Sequence, residues 1–352
     1  MLDYTFAALP WHVRFAAGAA QDIGTHLDEF EFARALVITT RGGEERVAGL
    51  LSALGPRCVQ VFAGARMHVP DPVVKEACAA ARACAADSVV TIGGGSTTGL
   101  GKALALRLDL PFVAVPTTYS GSEMTNLWGL TVDGKKTTGR DDRVLPKLVI
   151  YDPELTYQLP IETTGCSAIN AMAQAVVNAY DDRNSPLLRE LARQAIDAIA
   201  SALPSVFESP TEPAARAQLL HGASLAGACI GAGVTSLHHR LCHTLGGTFQ
   251  TPHAQTHTVL LPYTTAFIER SQPELTHAIA EVFGESTAGR GIHRLLSRLG
   301  LPCSLAALDI EEKDLARIVE LSLATPVSNP RPVNSGNLLE LLSQALAGAA
   351  PE

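Results

Sequence analysis

The sequence predicts an α/β nucleotide-binding domain over residues 1–155, followed by an all-α domain over residues 156–352. In the first part, short apolar runs alternate with helical patterns, which is typical of a parallel sheet covered by helices. In the second part, strand-like runs largely vanish and long helical patterns follow. A glycine-rich turn directly after one apolar run indicates that the first domain binds an anion.

Five apolar runs of the first domain have the length and composition of buried parallel strands. They are Ala35–Thr39, Cys58–Phe62, Ser88–Ile92, Phe112–Val115 and Leu148–Tyr151. Apolar positions at three- and four-residue spacing predict helices between these strands and along the second domain. These helices are Glu45–Leu54, Pro72–Ala86, Thr97–Leu106, Leu187–Leu203, Ala214–Ile230 and Ile292–Leu299. Glycine and proline separate the later helices, which indicates a bundle of medium-length helices rather than one coiled coil.

Composition excludes several classes of protein. A chain of 352 residues that is 47% hydrophobic can fill a sizeable core. The formal net charge of −8 argues against a nucleic-acid partner, although clustered cations could still bind a small anion. No apolar run reaches the ~18 residues of a membrane span, and residues 1–15 lack the basic region followed by an apolar core that is typical of a signal peptide. The seven scattered cysteines contain no CxxC pair, so we expect reduced thiols, a cytoplasmic location and no membrane partner.

The segment after the third predicted strand has the composition of an anion cradle. Gly93, Gly94 and Gly95 let the backbone approach a pyrophosphate closely, and Ser96 or Thr97 can cap the helix that follows. The segment matches neither the G-x-G-x-x-G nor the Walker pattern. The alternative is a tight turn without a ligand, but three successive glycines lose backbone entropy that a simple turn does not require.

A second loop, at residues 116–123, also follows a buried strand and is rich in hydroxyl groups. Thr117, Thr118, Tyr119 and Ser122 supply them. Ligands of open parallel sheets bind at the carboxyl ends of the strands, where both loops would lie. A dinucleotide shared by the two loops is the economical interpretation, and a solvated polar loop is the alternative.

Four stretches carry a resemblance to a known family. They are GGGSTTGLGKALAL from Gly93, VPTTYSGSEMT from Val115, DGKKTTGRDDRVLPKLVIYDPELT from Asp133 and NPRPV from Asn329. The first two resemble the cofactor-binding half of iron-type alcohol dehydrogenases, and the third is similar to the maleylacetate reductase branch of that family. The resemblance implies a Rossmann-like domain and a helical domain, as in the iron-type alcohol dehydrogenase and dehydroquinate synthase-like fold. It also implies an active site in the cleft between the domains and a homodimer.

The resemblance implies NADH or NADPH as the cofactor. The residues assigned to it are Thr40, Gly93, Gly94, Gly95, Ser96, Thr97, Thr117, Thr118 and Ser122. NAD-selective relatives often have an acidic residue where Thr40 falls, which would repel a 2′-phosphate. With Thr40 and the neighbouring Arg41, NADPH should be tolerated alongside NADH, unless Arg41 is simply a surface cation.

A histidine cluster is the densest chemical signal in the second domain. Four of the eleven histidines, His239, His243, His253 and His257, fall within nineteen residues. His239 and His243 are four residues apart and would share one face of a helix, and His253 can return to the same place after a turn. This spacing favours a functional cluster over chance packing.

In metal-dependent members of the family, an Asp and a His four residues apart join two histidines to bind a divalent metal. Asn170 and Gln174 stand at those two positions here. Neutral amide oxygens are weak ligands for a transition metal, so we predict no catalytic metal. Gln174 also departs from maleylacetate reductases, which often keep a histidine at this position, and its role stays open.

The implied reaction explains how a metal could be dispensed with. Hydride addition to a carbon–carbon double bond conjugated to a ketone gives an enolate, which is much less basic than an alkoxide, so hydrogen-bond donors can suffice. The resemblance implies reduction of maleylacetate to 3-oxoadipate in aromatic-compound degradation. We expect His243 to donate the proton or stabilise the oxyanion, with His239 and His253 as partners. The small dicarboxylate substrate would be bound by Tyr119, Lys136, Arg140, Asn170, Gln174 and Arg331, although each cation alone could be a plain surface residue.

Three alternatives remain at this stage. The chain could be a metal-dependent alcohol dehydrogenase that uses His239 and His253. It could be a catalytically silent homologue that binds a nucleotide, which the departure at Gln174 favours. It could also be a reductase recruited to another conjugated keto-acid substrate.

Overall fold

The computed structural model describes residues 3–133 and 135–351, and this part of the chain divides into two compact units. The first is Leu9–Leu159, and the second comprises the described residues 3–8 and 160–351. The first is an α/β unit and the second is built from helices, which confirms the predicted fold class.

A six-stranded parallel sheet forms the centre of the first unit. Its strands are β1 (Val13–Phe15), β2 (Ala35–Thr40), β3 (Cys58–Ala65), β4 (Ser88–Gly93), β5 (Phe112–Pro116) and β8 (Leu148–Tyr151), in the order β1-β8-β5-β4-β2-β3. All five predicted strands are present, and β8 has the predicted bounds. The prediction missed β1, because its three residues at the sheet edge are mostly exposed and form no apolar run.

An antiparallel hairpin interrupts the α/β pattern between β5 and β8. It consists of β6 (Leu127–Val132) and β7 (Lys135–Arg140), with Leu127 opposite Arg140. No strand was predicted here, because β7 is polar and almost wholly exposed. A strand with no buried face lacks the apolar alternation by which strands are recognised.

Four α-helices belong to the first unit: α1 (Ile23–Glu29), α2 (Ala48–Leu54), α3 (Asp71–Ala83) and α4 (Gly95–Leu108). Apolar side chains of the sheet pack with α1 and α2 in a core that includes Val37, Val90, Val113 and Ile150, all fully buried. Strands that are buried on both faces read as continuous apolar runs, which is why the sheet was predictable.

The strand order marks the carboxyl ends of β2 and β4 as the position where a ligand is expected. The chain moves outward from β2 to β3 and then returns to β4 on the other side of β2, so the direction of winding reverses between these two strands. Open parallel sheets bind ligands outside the strand ends at such a reversal. Thr40 ends β2, and Gly93 ends β4.

The second unit contains nine α-helices within the described residues. They are α5 (Ile161–Tyr180), α6 (Pro186–Glu208), α7 (Pro213–Ala232), α8 (Leu237–Thr248), α9 (His253–Glu269), α10 (Pro273–Phe283), α11 (Ala288–Arg298), α12 (Glu312–Leu323) and α13 (Ser335–Ala347). No single described helix is both long and apolar enough to span a membrane; α7 and α8 pass that test only as a pair bent by 98°.

Helix α5 is the central helix of the second unit. Every residue from Thr164 to Tyr180 is buried, and α5 packs against α6, α7 and α9. A helix enclosed on all sides has few polar residues, so those that α5 carries, Asn170 and Gln174 among them, need a reason to be there. Helix α9 also packs against α8, which brings together the two histidine-bearing helices.

Candidate functional site

The glycine loop and the loop after β5 touch each other. Gly93 has φ +148°, and a β-carbon there would lie 2.8 Å from Thr97 Cγ2. A β-carbon at Gly94 would lie 2.8 Å from Thr118 Oγ1, and the Thr117 N–H donates to the Gly93 carbonyl at 2.9 Å. A β-carbon would be too close to a neighbour at either position, and the φ of Gly93 also favours glycine, so the structure brings together Gly93, Gly94, Thr117 and Thr118 as predicted for a shared ligand.

The start of α4 differs from the prediction in its cap. The helix begins at Gly95 with Gly94 as its N-cap residue, and no side chain caps it. The expectation that Ser96 or Thr97 caps the helix is therefore wrong: the helix starts earlier, and the Thr97 hydroxyl donates to the Gly94 carbonyl at 2.7 Å. The first N–H groups of a helix have no partner within it, so an uncapped start leaves them available to an anion.

A surface cavity of about 290 Å³ lies beside the carboxyl ends of β2 and β3. Arg41, Arg66 and Glu76 line it, together with Val61–Ala65 of β3. Across the described residues, neither guanidinium has a hydrogen bond or ion pair, and both side chains are exposed. Arg41 directly follows Thr40, which is half-buried at the end of β2. Two guanidinium groups without an ion pair among the described residues therefore line the cavity together with Glu76, next to the end of β2.

A buried lysine, which was not among the predicted site residues, fixes the loop after β5. Lys102 Nζ donates to the Thr125 carbonyl (2.8 Å), Thr125 Oγ1 (2.8 Å) and the Leu127 carbonyl (2.6 Å). Burial lowers the pKa of Lys102 to about 7. Lys102 lies on α4, so the helix that starts at the glycine loop is tied to the segment after Ser122.

A buried glutamate completes the packing of this loop. Glu123 accepts hydrogen bonds from the Tyr151 hydroxyl (2.7 Å) and the Ser120 hydroxyl (3.2 Å). Burial raises the pKa of Glu123. Ser122 is half-buried between these anchors, and Tyr119 is fully buried. The hydroxyl-rich loop is thus held from both sides by residues that the sequence analysis left out of the site.

The histidines of the second unit form a cluster between α8 and α9. His238 Nε2 lies 2.9 Å from His257 Nδ1, and His238 Nδ1 lies 2.9 Å from Thr264 Oγ1. The His257 ring also stands edge-on to His239 and His253, with ring centroids 5.6 Å and 4.6 Å away. His257 is therefore the centre of the cluster, and the predicted partners His239 and His253 meet around it.

Burial keeps the inner histidines uncharged. It lowers the pKa of His239 to about 4 and the pKa values of His238 and His257 well below their usual range. A neutral imidazole has one donor nitrogen and one acceptor nitrogen. His243 is exposed and His253 half-exposed, so these two can meet a substrate from solvent, whereas His239 cannot.

His238 and His257 were absent from the predicted site. His257 was seen in the sequence as the fourth member of the cluster, but nothing in the chain order indicates that it pairs with His238, nineteen residues earlier on another helix. The available signal was spacing: His253 and His257 are four residues apart, and so are His238 and Cys242. Such pairs share a helix face.

Several buried polar atoms of the second unit have no hydrogen-bond partner among the described residues. They are Asn170 Oδ1, both ring nitrogens of His239, and His257 Nε2. Asn170 and Gln174 are 5% and 8% exposed on α5. Most buried polar groups in proteins have a partner, so this concentration of orphaned atoms indicates that a ligand or water belongs there.

The donor atoms do not fit a divalent transition metal at the position where the sequence resemblance implies one. Asn170 and Gln174 offer neutral amides, and only His239 and His253 offer imidazoles. Such a set has no anionic ligand to offset the metal charge.

A second group, His238, Cys242 and His257, brings ligand atoms within 4.8 Å of one another. There the nearest imidazole nitrogens already form a direct hydrogen bond, and burial raises the pKa of the Cys242 thiol well above its usual range. A metal would therefore have to break that hydrogen bond and remove the thiol proton.

The predicted substrate cations lie in different parts of the chain. Lys136 and Arg140 are exposed on β7, and Arg140 Nη1 donates to Asn126 Oδ1 at 3.0 Å. Arg331 belongs to the second unit, where its Nη1 donates to the Phe267 carbonyl at 2.8 Å and its guanidinium stacks 4.0 Å from the Phe267 ring centroid. Arg331 is thus oriented by Phe267, with the rest of its donors left for another acceptor.

Comparison with known proteins decides the family. Residues 10–153 match the model of the iron-containing alcohol dehydrogenase, and residues 164–346 match that of the C-terminal domain of the same family. The chain belongs to the iron-containing alcohol dehydrogenase family. Members of this family are NAD(P)-dependent oxidoreductases, so the cofactor is a nicotinamide nucleotide.

Relatives within the family include several maleylacetate reductases. The chain is 43% identical to that of Sphingobium indicum over 350 residues, which are 99% of both chains, and 44% identical to that of Burkholderia cepacia over 354 residues, which are 100% of both. Among solved structures, the maleylacetate reductase of Agrobacterium tumefaciens has a TM-score of 0.96 at 43% identity, and a putative alcohol dehydrogenase of Ralstonia eutropha has 0.98 at 41%, each covering 100% of both chains. These relatives confirm the resemblance to the maleylacetate reductase branch.

Proposed function

We propose that this enzyme reduces maleylacetate, or a substituted maleylacetate, to the corresponding 3-oxoadipate with NADH or NADPH, in the degradation of aromatic compounds. The observation that carries the proposal is the similarity to maleylacetate reductases along the entire chain, at 43% identity over 352 residues to the enzyme of a Rhizobium species. The histidine cluster, with neutral amides at the metal-ligand positions, supports the same conclusion.

The chemistry of an enolate suits the residues of the second unit. When bound, the nicotinamide supplies a hydride to the carbon–carbon double bond. The negative charge then spreads onto the ketone oxygen, where hydrogen-bond donors stabilise it, and a proton must reach the adjacent carbon. We assign proton donation or oxyanion stabilisation to His243, which is exposed, with the half-exposed His253 as its partner. His239 is buried and neutral, so it acts as a partner rather than as the terminal donor.

The cofactor residues follow from the edge of the sheet. Gly93, Gly94, Gly95, Ser96 and Thr97 would bind the pyrophosphate at the uncapped start of α4. The hydroxyl-bearing residues of the neighbouring loop and of the end of β2 would contact the rest of the nucleotide; they are Thr40, Thr117, Thr118 and Ser122.

The cavity beside β2 and β3 supports the use of both cofactors. Thr40 offers no carboxylate to repel a 2′-phosphate, and Arg41 and Arg66 offer two free guanidinium groups. NADH lacks the 2′-phosphate and does not depend on these cations.

The dicarboxylate would be bound by cations and neutral donors. We assign its carboxylates to Lys136, Arg140 and Arg331, and its remaining polar contacts to Tyr119, Asn170 and Gln174. The orphaned Oδ1 atom of Asn170 supports a ligand near α5. We also propose that the enzyme works in the cytoplasm as a homodimer; its seven cysteines are all free thiols, which suits a reducing compartment.

Consumption of NADH and NADPH with maleylacetate, with and without a chelator, tests the proposal. We expect chelator-insensitive turnover by the wild type and a loss of about 10²-fold in kcat for His243→Ala, because a positioned acid typically contributes at least that much. His277→Ala is the matched control, since His277 is another exposed helical histidine, outside the cluster. Near-normal rates for His243→Ala would refute its role, and the absence of turnover would refute the substrate.

A metal-dependent alcohol dehydrogenase is the second candidate, favoured by the unpartnered nitrogens of His239. Stoichiometric metal in the purified protein, together with chelator-sensitive oxidation of simple alcohols, would establish it. A silent homologue would bind NADH without turnover of any conjugated keto-acid, whereas a recruited reductase would turn over a keto-acid other than maleylacetate.

A further inference from the structure

Three buried side chains of the second unit form a chain of hydrogen bonds whose direction can be derived. Thr264 Oγ1, His238 and His257 follow one another at 2.9 Å and 2.9 Å, and all three residues are at most 2% exposed. A neutral imidazole that donates from one nitrogen must accept at the other, so the direction of one bond determines the next. The direction of the hydrogen bond at Thr264 therefore determines which ring nitrogen of His257 carries its hydrogen.

The hydroxyl proton of Thr264 points into its own helix. Its oxygen lies 3.0 Å from the Leu260 carbonyl and 3.2 Å from the Leu261 carbonyl. If the proton pointed at His238 instead, the hydroxyl oxygen would face two carbonyl oxygens with no proton between them, which is unfavourable in a dry interior. Donation to a carbonyl one turn earlier is also the usual choice of a threonine within a helix. Thr264 Oγ1 is therefore the acceptor of its bond to His238.

The tautomers of both histidines follow from this. His238 must carry its proton on Nδ1 to donate to Thr264, which leaves Nε2 as an acceptor. His257 must then carry its proton on Nδ1 to donate to His238 Nε2, which leaves the lone pair on His257 Nε2. Cys242 agrees with this direction, because its Sγ lies 3.8 Å from His238 Nε2 and burial keeps it a protonated thiol, which is a weak donor.

The chain of hydrogen bonds ends at Thr264. The Thr264 hydroxyl donates to a backbone carbonyl, which cannot pass a proton on, so the three side chains hold their hydrogens in place and do not conduct protons. His257 Nε2 is buried and has no hydrogen-bond partner among the described residues. An unmet acceptor in a buried site is unfavourable, so a donor must fill the position.

We infer that Thr264 and His238 lock His257 in the Nδ1–H tautomer, so that His257 Nε2 is a dedicated hydrogen-bond acceptor for a neutral hydroxyl group, from water or from a bound ligand. A carboxylate is excluded from that position, because it would bring a lone pair against a lone pair. His257 is thus a positioning residue that orients a hydroxyl beside His253, and it is not itself the proton donor. The tautomer follows from the hydrogen bonds alone, whereas the effect on kcat rests on the proposed function.

Nitrogen NMR of histidine-labelled protein tests the tautomer without any turnover. At neutral pH, we expect a protonated Nδ1 and an unprotonated Nε2 for His257, assigned by the loss of its signals in His257→Asn. An unprotonated Nδ1 in the wild type would overturn the inference. So would stoichiometric metal with both His238 and His257 as ligands. A His257 Nε2 shift that is unchanged by NADH identifies water as the donor, and a changed shift identifies a hydroxyl of the bound cofactor.

A pair of neighbouring threonines provides the matched variants. Thr264→Val removes the acceptor of His238, whereas Thr265→Val removes an equally buried hydroxyl that donates only to the Leu261 carbonyl at 2.7 Å. We expect mixed tautomers of His257 and about a tenfold loss of kcat in Thr264→Val, with KM for NADH unchanged. Thr265→Val should keep the wild-type tautomer and rate, and Thr264→Ser should restore both. Equal effects of the two valine variants would overturn the inference, whatever the substrate proves to be.

Discussion

Alanine at Gly94 or at Gly95 should separate the packing of the glycine loop from its contact with the cofactor. Gly94 has φ −99° and ψ −157°, a conformation open to alanine, so the effect of Gly94→Ala comes from space alone. The new β-carbon would lie 2.8 Å from Thr118 Oγ1 and 2.9 Å from Thr118 Cγ2. Overpacking of this kind destabilises a fold by about 1–3 kcal/mol.

Gly95→Ala is the counterpart, because its β-carbon meets nothing nearer than Ser120 at 3.7 Å. We expect the stability of the cofactor-free protein to change by less than about 0.5 kcal/mol. If the pyrophosphate lies against this turn, the methyl group displaces it, and a loss of about 1.4 kcal/mol or more weakens NADH binding at least tenfold.

Urea unfolding of the cofactor-free protein and fluorescence titration with NADH measure the two effects. Gly94→Ala should lower the free energy of unfolding, and the double variant Gly94→Ala/Thr118→Ala should recover most of it, because the obstructing side chain is gone. Native NADH affinity in Gly95→Ala would refute the assignment of this loop to the pyrophosphate. Unchanged stability in Gly94→Ala would refute the close approach of the two loops.

Three further outcomes are expected. Burial lowers the pKa of His239 to about 4 from 6.5, so the unfolded chain binds more protons and stability falls as the pH drops from about 6.5 towards 4. This one group contributes about 2 kcal/mol of that loss at pH 5, and His239→Asn should show a correspondingly smaller loss in urea titrations at pH 7 and pH 5. The double variant Arg41→Ala/Arg66→Ala should raise KM for NADPH about tenfold and leave KM for NADH unchanged. Arg82→Ala, at another exposed arginine, is the control. Parallel changes in KM for both cofactors would contradict the assignment of the two arginines to the 2′-phosphate. Lys102→Met removes the donor of three hydrogen bonds and should lower the free energy of unfolding by about 3 kcal/mol or more. Lys75→Met, at a side chain that is 74% exposed, should change the free energy of unfolding by less than about 1 kcal/mol.

Much of the first unit was predictable from the sequence, because a buried parallel strand must be apolar on both faces. Leu148–Tyr151 was located to the residue for this reason. The short edge strand β1 and the exposed strand β7 carry no such pattern and were missed. Helix ends were less accurate: α2 begins at Ala48 rather than Glu45, and α4 begins at Gly95 rather than Thr97, because an uncapped start leaves no polar signal in the sequence.

The candidate site was predictable where it depends on local chain order and not where it depends on distant partners. Three glycines after a strand indicate a phosphate loop wherever they occur. The bond between His238 and His257 joins two helices, and the contacts of Lys102 join α4 to a loop more than twenty residues away. Such pairs form when two elements pack against each other, and the spacing of residues along one element does not predict them.

The enclosure of α5 also bears on how this family can evolve. Residues 170 and 174 lie one turn apart on a helix that is buried throughout this stretch, so a carboxylate at 170 would be desolvated unless a cation arrived with it. A carboxylate at 170 and the cation that neutralises it would therefore have to be acquired together, whereas a neutral residue at 174 can change independently of an ion.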